Sequence, residues 1–354
     1  MSVIGANLPQ STVCTTINKV CASGMKSVML AAQSIQSGSL QNANDVIIAG
    51  GMESMSNVPH YLMNQRSGKP LGHGQTLDGC IHDGLWDVYN DQHMGMCGEK
   101  CSKDYSIGRD EQDNYAIESY RRAIKALDEN IFMDEIQTVN IAQRRGDPLQ
   151  VSEDEEPRLT KLEKIPSLRP AFDRQNGTIT AANASSLNDG AAAMVLMSEE
   201  SAETMGLKPL ARILGYGDAE HDPVNFTTAP SLAVPVALRN AGLNASDIEY
   251  HEINEAFSVV ALANMKLLNL DPSKVNVFGG AVSLGHPIGM SGGESNSFNV
   301  RLSYIHFWKY ISQLSLSHYF CLLQILKWST STYHWNFVYN SQKQRCINWM
   351  CIYL

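Results

Sequence analysis

The feature that most constrains the fold of this 354-residue chain is a break after Gly293, because none of its glycines, prolines, alanines or aspartates lies beyond that point. The 61 residues from Glu294 to Leu354 hold 14 of the 27 aromatic residues, four of the five tryptophans, and five basic side chains against the single acidic Glu294. Tight turns draw on glycine, proline, asparagine and aspartate for backbone reasons, and no stretch of this segment keeps a helical or a strand period. Residues 294–354 are therefore expected to stand outside the folded unit, as sequence of another origin such as a retained intron or a frameshift. The remaining 293 residues suffice for about two domains at roughly 150 residues each. They carry 22 basic and 35 acidic side chains, so no basic field exists for phosphate backbones or an anionic bilayer, and neither nucleic acid nor membrane is an expected partner. Charged residues make up only 18% of the chain, below the usual share of about 25%, which favours surface given over to other subunits. The eight cysteines include no C-x-x-C pair, and neither a targeting leader nor a long apolar run is visible. A reducing, soluble compartment follows, with the cytoplasm as first expectation and a mitochondrial or peroxisomal matrix as the alternative.

Along residues 1–293, apolar runs alternate with helix-forming stretches. A β-branched run at 11–20 leads into a helical stretch at 21–38 closed by Gly38, and 45–51 is a short apolar run bounded by glycine. Strand, helix, strand in that order predicts a parallel crossover. Residues 52–185 are richer in Met, Asn, Gly, Asp and charge, with a helix near 109–130 and an acidic turn at 152–156, as an inserted α-rich subdomain would be. Alternation resumes with expected strands at 190–197, 211–217, 248–253 and 275–278 and helices at 232–241 and 256–268, the pattern of a second α/β unit. A glycine-rich loop, G-G-A-V-S-L-G-H-P-I-G-M-S-G-G, closes it at 279–293.

Three residues stand where chemistry is commonly done. Cys21 follows a strand signal and opens a helix signal, where free N–H groups and the macrodipole favour a thiolate and lower its pKa; a small buried hydrophobe is the competing reading. His286 lies in G-H-P-I-G, a loop stiff enough to hold a general base, or else simply a histidine bonded to a carbonyl. Asn254 lies at the carboxyl end of an expected strand, where open α/β sheets collect ligands, or else caps the next helix. His93, Cys97 and Cys101 share one helix face at i, i+4 and i+8, but the spacing offers no fourth zinc ligand. The glycines of 279–293 do not form a nucleotide-binding G-x-G-x-x-G.

Together, N-K-V-C-A-S-G-M-K around Cys21, N-E-A-F at Asn254–Phe257 and G-G-A-V-S-L-G-H-P-I-G-M-S-G around His286 resemble the thiolase family. The likeness extends through I-I-A-G-G-M-E-S-M-S at 47–56 and T-A-A-N-A-S-S-L-N-D-G at 180–190, and so spans residues 1–293. Within it, H-M-G at His93–Gly95 is similar to the mark of thiolases that act on acetoacetyl-CoA and other short acyl chains. The resemblance implies an α/β fold, the layered αβαβα arrangement of two similar halves with an inserted α-rich loop domain. The implied partition is 1–51 with 186–205 as an incomplete N-terminal domain, 52–185 as the loop domain, 206–293 as an incomplete C-terminal domain and 294–354 as an unrelated aromatic tail.

It also implies an acyltransferase that joins two acetyl-CoA into acetoacetyl-CoA, or runs the reverse thiolysis, through an acetyl group on Cys21. His286 would be the base, and Asn254 would hold a water that forms an oxyanion hole with it. Tyr120, Lys164 and Ser185 match positions that contact CoA, and His93, Met94 and Phe257 match the acyl pocket. Tyr120, Ala181, Ala182, Ala184 and Val282 match positions around a potassium ion. No covalent cofactor is implied; the partners are acetyl-CoA, acetoacetyl-CoA and CoA, with a homodimer or homotetramer as the assembly. Two departures bear on activity. The family's C-x-G-G-G block, which supplies a second catalytic cysteine, has no match, since Cys321, Cys346 and Cys351 lie in glycine-free sequence. Family members also carry a strand and a helix upstream of the S-V-I-G-A-N-L-P-Q stretch at 2–10, so both sheets are expected to lack strands and to expose pairing edges. A thiolase-fold protein that binds CoA or pairs with full-length subunits without catalysis is the alternative reading. A decarboxylating β-ketoacyl synthase shares the cysteine and the doubled fold, but the order Cys21, Asn254, His286 favours a thiolase.

Overall fold

The computed structural model describes residues 2–38, 46–68 and 71–291, together with the backbone of two short strands, Cys321–Leu322 and Asn348–Ile352. Helix α1 (Ser23–Gln36) buries Val28, Met29, Ala31 and Ala32 along one stripe, the spacing that turns one helix face toward a core. That face packs on a sheet in which β1 (Ile47–Ser54) runs antiparallel to β2 (Asp189–Met197), in register from Ile47 opposite Leu196 to Ser54 opposite Asp189. Val28 and Ala31 of the helix share a core with Ala49, Met194 and Leu196 of the two strands.

The expected parallel crossover is not formed. Residues 11–19 are exposed, irregular chain, and β1 meets β2 antiparallel instead. A β-branched run has the propensity for a strand, but a strand exists only with a ladder partner and a packed face, and among the described residues 11–19 has neither. Residues 211–217 form no strand either, and the 275–278 stretch is reduced to single bridges such as Val275 to His251.

Two helices cover the middle of the chain, α2 (Met94–Tyr105) and α3 (Arg109–Asp128). The carboxylate of Glu99 on α2 is buried and accepts the N–H groups of Thr178 and Ile179 at 2.9–3.0 Å, together with the Thr178 hydroxyl at 2.9 Å. It thereby fixes the entry to the 180–190 loop. The second half is built from α4 (Pro230–Ala241), β3 (Ile248–Ile253) and α5 (Ser258–Leu268), with Val234, Leu238, Ile248, Ile253, Ala261, Met265 and Val275 as their common core.

Asn348–Ile352 pairs in parallel with β3, and Cys321–Leu322 pairs antiparallel with β2. Parts of the segment expected outside the folded unit therefore add a third strand to the β1–β2 sheet and form a two-stranded sheet with β3. Backbone pairing needs only an available row of N–H and C=O groups, not a matched sequence.

Candidate active site

Cys21 sits in a tight helical turn, Val20–Ala22, that runs directly into α1. Side chains tie that turn: Asn18 Oδ1 accepts the Val20 N–H (2.8 Å), and the Ser23 hydroxyl accepts the Lys19 N–H (2.8 Å) while donating to the Val20 carbonyl (2.6 Å). Val20 is held at φ +48°, a left-handed conformation costly for a β-branched residue. Lys19 reaches Glu220 (2.6 Å) and Lys26 reaches Asp218 (2.5 Å), so the turn is also moored to the 218–220 loop.

The Cys21 side chain is 8% exposed and packs with Met55, Cys80 and Ile288. Its electrostatics reverse the expectation of a lowered pKa. Burial pushes the thiol up to about 12, the backbone donor at the turn offsets part of this, and the Glu53 carboxylate adds to the rise. Desolvation outweighs the helix terminus because it acts on the whole charge of the thiolate.

His286 Nε2 stands 3.1 Å from Cys21 Sγ. The loop that presents it is anchored by its own N–H, which donates at 3.2 Å both to Asn188 Oδ1 and to the Ser186 carbonyl. Beneath it runs β1: a Cβ on Gly51 would lie 2.0 Å from the Gly289 carbonyl oxygen, so only glycine lets strand and loop approach this closely. The other imidazole nitrogen, Nδ1, lies 2.5 Å from Ser291 Oγ. Burial lowers the His286 pKa to about 4. With the thiol raised and the imidazole lowered, the pair rests as a neutral thiol beside a neutral imidazole.

Asn254 follows the last residue of β3, and its Nδ2 lies 3.4 Å from His286 Nε2. It does not cap α5, whose N-cap is Phe257. Its Oδ1 is buried without a hydrogen-bond partner among the described residues, which leaves an acceptor beside the thiol and the imidazole.

The strand end beneath Asn254 is locked by Asn276, whose side chain accepts the Ile253 N–H and donates to the Ile253 carbonyl, both at 2.8 Å. Next along the chain, the fully buried Glu255 accepts from the Tyr115 hydroxyl (2.7 Å), Ser119 Oγ (2.9 Å), Asn276 Nδ2 (2.7 Å) and the Val282 N–H (3.0 Å). One carboxylate thus joins α3, the end of β3 and the turn leading to His286. The buried carboxylate in turn helps hold the Tyr115 phenol well above its usual pKa, after desolvation as the larger cause.

His93 caps α2, its Nδ1 accepting the Gly95 N–H at 3.0 Å, and its ring stacks on Phe172 at 4.7 Å. Phe172 meets Phe257 edge to face at 5.9 Å, so Phe172 links two residues expected in the acyl pocket. A Cβ on Gly95 would strike the Phe172 ring at 2.3 Å, which accounts for glycine after Met94; Met94 itself is half-buried at the start of α2. Burial lowers the His93 pKa. Cys97 and Cys101 are buried, and no group of three or more His, Cys, Asp or Glu among the described residues is placed to hold a metal ion.

Of the residues expected at CoA, Lys164 is exposed and Ser185 is half-buried, its hydroxyl on the Ala256 carbonyl at 3.1 Å, beside Asn254–Phe257. Tyr120 is 1% exposed and packs with Ala182 and Val282. Ala184 is buried in the neighbouring core with Phe257, and Ala181 is exposed.

Sequence reasoning assigned no role to Ser291, Asn188, Asn276, Glu255, Glu53 or Phe172. Ser291, Glu255, Asn188 and Glu53 lie inside the motifs at 279–292, 254–257, 180–190 and 47–56, so their signal is present but undivided, whereas Asn276 and Phe172 lie in none of these motifs.

A family model described as thiolase, N-terminal domain matches residues 1–200, and one described as thiolase, C-terminal domain matches residues 207–300. The chain is 56% identical over 293 residues to acetyl-CoA acetyltransferase 1 of Arabidopsis thaliana, covering 82% of this chain and 69% of that protein. It is 54% identical over 291 residues to the mitochondrial acetyl-CoA acetyltransferase of Rattus norvegicus, covering 82% and 67%. Among solved structures, a thiolase from Ascaris suum in complex with coenzyme A superposes with a TM-score of 0.78 at 46% identity, over 84% of this chain and 75% of that one. The acetyl-CoA acetyltransferase of Bacillus anthracis gives 0.82 at 39% identity, over 86% and 76%.

Proposed function

The chain belongs to the thiolase family, with the α/β thiolase fold, and on that premise we propose that it is an acetyl-CoA C-acetyltransferase whose chemistry runs through Cys21, His286 and Asn254. The observation that carries the residue assignment is the 3.1 Å approach of His286 Nε2 to Cys21 Sγ, with Asn254 alongside. As Cys21 sulfur attacks the thioester carbonyl of acetyl-CoA, His286 takes the thiol proton and then returns it to the departing CoA sulfur, leaving S-acetyl-Cys21. A thiol held near a pKa of about 12 is a poor nucleophile unless its proton leaves as the bond forms, which is the task of a base at this distance. Asn254, whose Oδ1 has no partner among the described residues, would hold a water facing the second acetyl-CoA. Donors there offset the negative charge that develops on the thioester oxygen as its methyl group becomes an enolate.

Tyr120, Lys164 and Ser185 would contact CoA, and His93, Met94 and Phe257 would bound a pocket suited to a short acyl chain. The Phe172 ring between His93 and Phe257 supports that limit. Tyr120, Ala181, Ala182, Ala184 and Val282 would hold potassium, a reading supported by the packing of Tyr120, Ala182 and Val282 against one another. A hard cation there would be bound by oxygen alone and would stiffen the loop beside Ser185. A dimer or tetramer is part of the same reading, supported by Ile48 and Met52, which stand 52% and 63% exposed on β1.

Condensation also needs a base for the α-proton of the second acetyl-CoA, and the sequence holds no C-x-G-G-G block to provide it. Loss of such a base lowers rate by about 10²–10⁴-fold, so the first half-reaction is the one to measure. Incubation with acetyl-CoA, acid quenching and intact-mass analysis should show one acetyl group on Cys21 with release of CoA, and none on Cys21→Ala. Retention of CoA by a chain that is never acetylated would overturn this reading in favour of non-catalytic CoA binding.

A further inference from the structure

We propose that Ser291 is a positioning residue that fixes the tautomer and ring orientation of His286 so that its Nε2 lone pair faces Cys21. The proposal deepens the acyl-transfer reading of the site and rests on it. Ser291 Oγ lies 2.5 Å from His286 Nδ1 and 3.2 Å from the Pro287 carbonyl, and Ser291 is 2% exposed.

We assign the hydroxyl proton to the Pro287 carbonyl, which can only accept, so that the oxygen presents a lone pair to the ring. In that assignment Nδ1 carries the hydrogen, and Nε2 is left as the acceptor. The other side of the ring agrees with this assignment. Both groups facing Nε2, the Cys21 thiol at 3.1 Å and the Asn254 amide nitrogen at 3.4 Å, are donors.

The turn that aims the hydroxyl is closed by the N–H groups of Met290 and Ser291 on the same Pro287 carbonyl, at 2.9 and 3.1 Å. Residues 286–291 therefore form one hydrogen-bonded unit holding both the base and its orienter. A carboxylate does touch this unit, since Glu53 accepts the Gly289 N–H at 3.1 Å, but among the described residues it makes no hydrogen bond to the imidazole. A neutral hydroxyl, rather than a carboxylate, is thus the partner of Nδ1. It fixes direction without charging the ring in advance, and it can still accept the Nδ1 hydrogen when the ring becomes imidazolium during proton transfer.

The test reads the base directly through alkylation of Cys21 by iodoacetamide at mildly alkaline pH, followed by peptide mass mapping, with exposed Cys14 as the internal reference. Ser291→Ala should slow alkylation of Cys21 relative to Cys14 about 10- to 100-fold, a part of the roughly 10²–10⁴-fold that a positioned base supplies. Ser291→Thr keeps the hydroxyl and should stay within about threefold of the parent, whereas Ser291→Val, of the same shape without it, should match the alanine variant. This Thr and Val pair decides the question even if the alanine variant is unstable, because a purely structural role would treat them alike. Equal Cys21 rates in the Thr and Val variants overturn the proposal. Failure of the chain to accept an acetyl group would instead overturn the acyl-transfer reading, and the alkylation rates would still report on Ser291.

Discussion

The turn carrying Cys21 is held from outside, by ion pairs from Lys19 and Lys26 to Asp218 and Glu220 and by a valine in a left-handed conformation. The loops carrying Asn254 and His286 are held from within, by the buried Glu255 carboxylate and the side chains of Asn276 and Asn188. The difference follows from what each part must do. The thiol sits in an apolar cup of Met55, Cys80 and Ile288, so the polar ties of its turn, from Asn18 and Ser23, hold the backbone of residues 19–20, and the lysine ion pairs moor it further out. The base and the amide must keep lone pairs and N–H groups aimed to within tenths of an ångström, and only short, fully satisfied networks hold such geometry.

The comparison breaks most sharply at Glu255. Glu255→Ala removes the acceptor for four donors at once, three side-chain groups and the Val282 N–H. Buried donors without partners cost about 1–3 kcal/mol each before relaxation, so a loss on the order of 3–5 kcal/mol is expected in urea unfolding. The mirror experiment on the other region, Lys26→Ala at the exposed pair with Asp218, should cost under about 1 kcal/mol. Similar losses for the two variants would mean that the buried network is no more than packing.

A smaller effect separates the regions by pH. Burial lowers His286 and also His251 to about 4 from an ordinary 6.5. Both belong to the polar side of the site and its strand. In the unfolded chain these imidazoles bind protons below about pH 6.5, while the folded chain leaves them neutral until about pH 4. The unfolded state therefore holds more protons in that window, and stability falls as pH falls through it. Each histidine accounts for up to about 3 kcal/mol across the window. Unfolding measured at steps from neutral pH downward should show this slope, and His251→Gln should remove roughly half of it. A stability that stays level from neutral pH to about pH 4 would mean that the two rings are already charged or solvated.

The same division governs what the sequence revealed. Cys21, Asn254 and His286 were legible because each sits where local chemistry is unusual: a cysteine between strand and helix signals, an asparagine at a strand end, a histidine between glycine and proline. The braces were not. Asn276 lies inside the expected 275–278 strand and Asn188 inside the 180–190 motif, and nothing within a few positions of either shows that Ile253 or His286 lies across from it. The sign of the Cys21 shift was missed for the same reason: a helix terminus is a local feature, whereas burial beneath Ile288 and Met55 is tertiary. Helix α3 and strand β3 agree with the expected 109–130 and 248–253; the helix announces itself by its amphipathic stripe, whereas the strand, I-E-Y-H-E-I, is marked only by its place in the alternation of strands and helices. Residues 11–19 and 211–217 did not, because β propensity carries no information about whether a partner strand is there.

A gain rather than a loss is expected on the outer-braced side, at Val20. Its φ of +48° stores about 1–3 kcal/mol in a β-branched residue, while its side chain, 37% exposed, gives little burial in return. Asparagine tolerates the left-handed region far better and, unlike glycine, adds little freedom to the unfolded chain. Val20→Asn should therefore raise stability by about 1 kcal/mol, or roughly 2–4 °C in melting temperature for a body of this size. Alkylation of Cys21 separates two consequences of that relief. If the Asn18 and Ser23 hydrogen bonds alone set the turn, the rate stays within about twofold of the parent, as the mooring by side chains predicts. A more stable variant with a slower Cys21 would show that the strained valine itself aims the sulfur at His286, and that the outer region stores strain where the inner one stores hydrogen bonds.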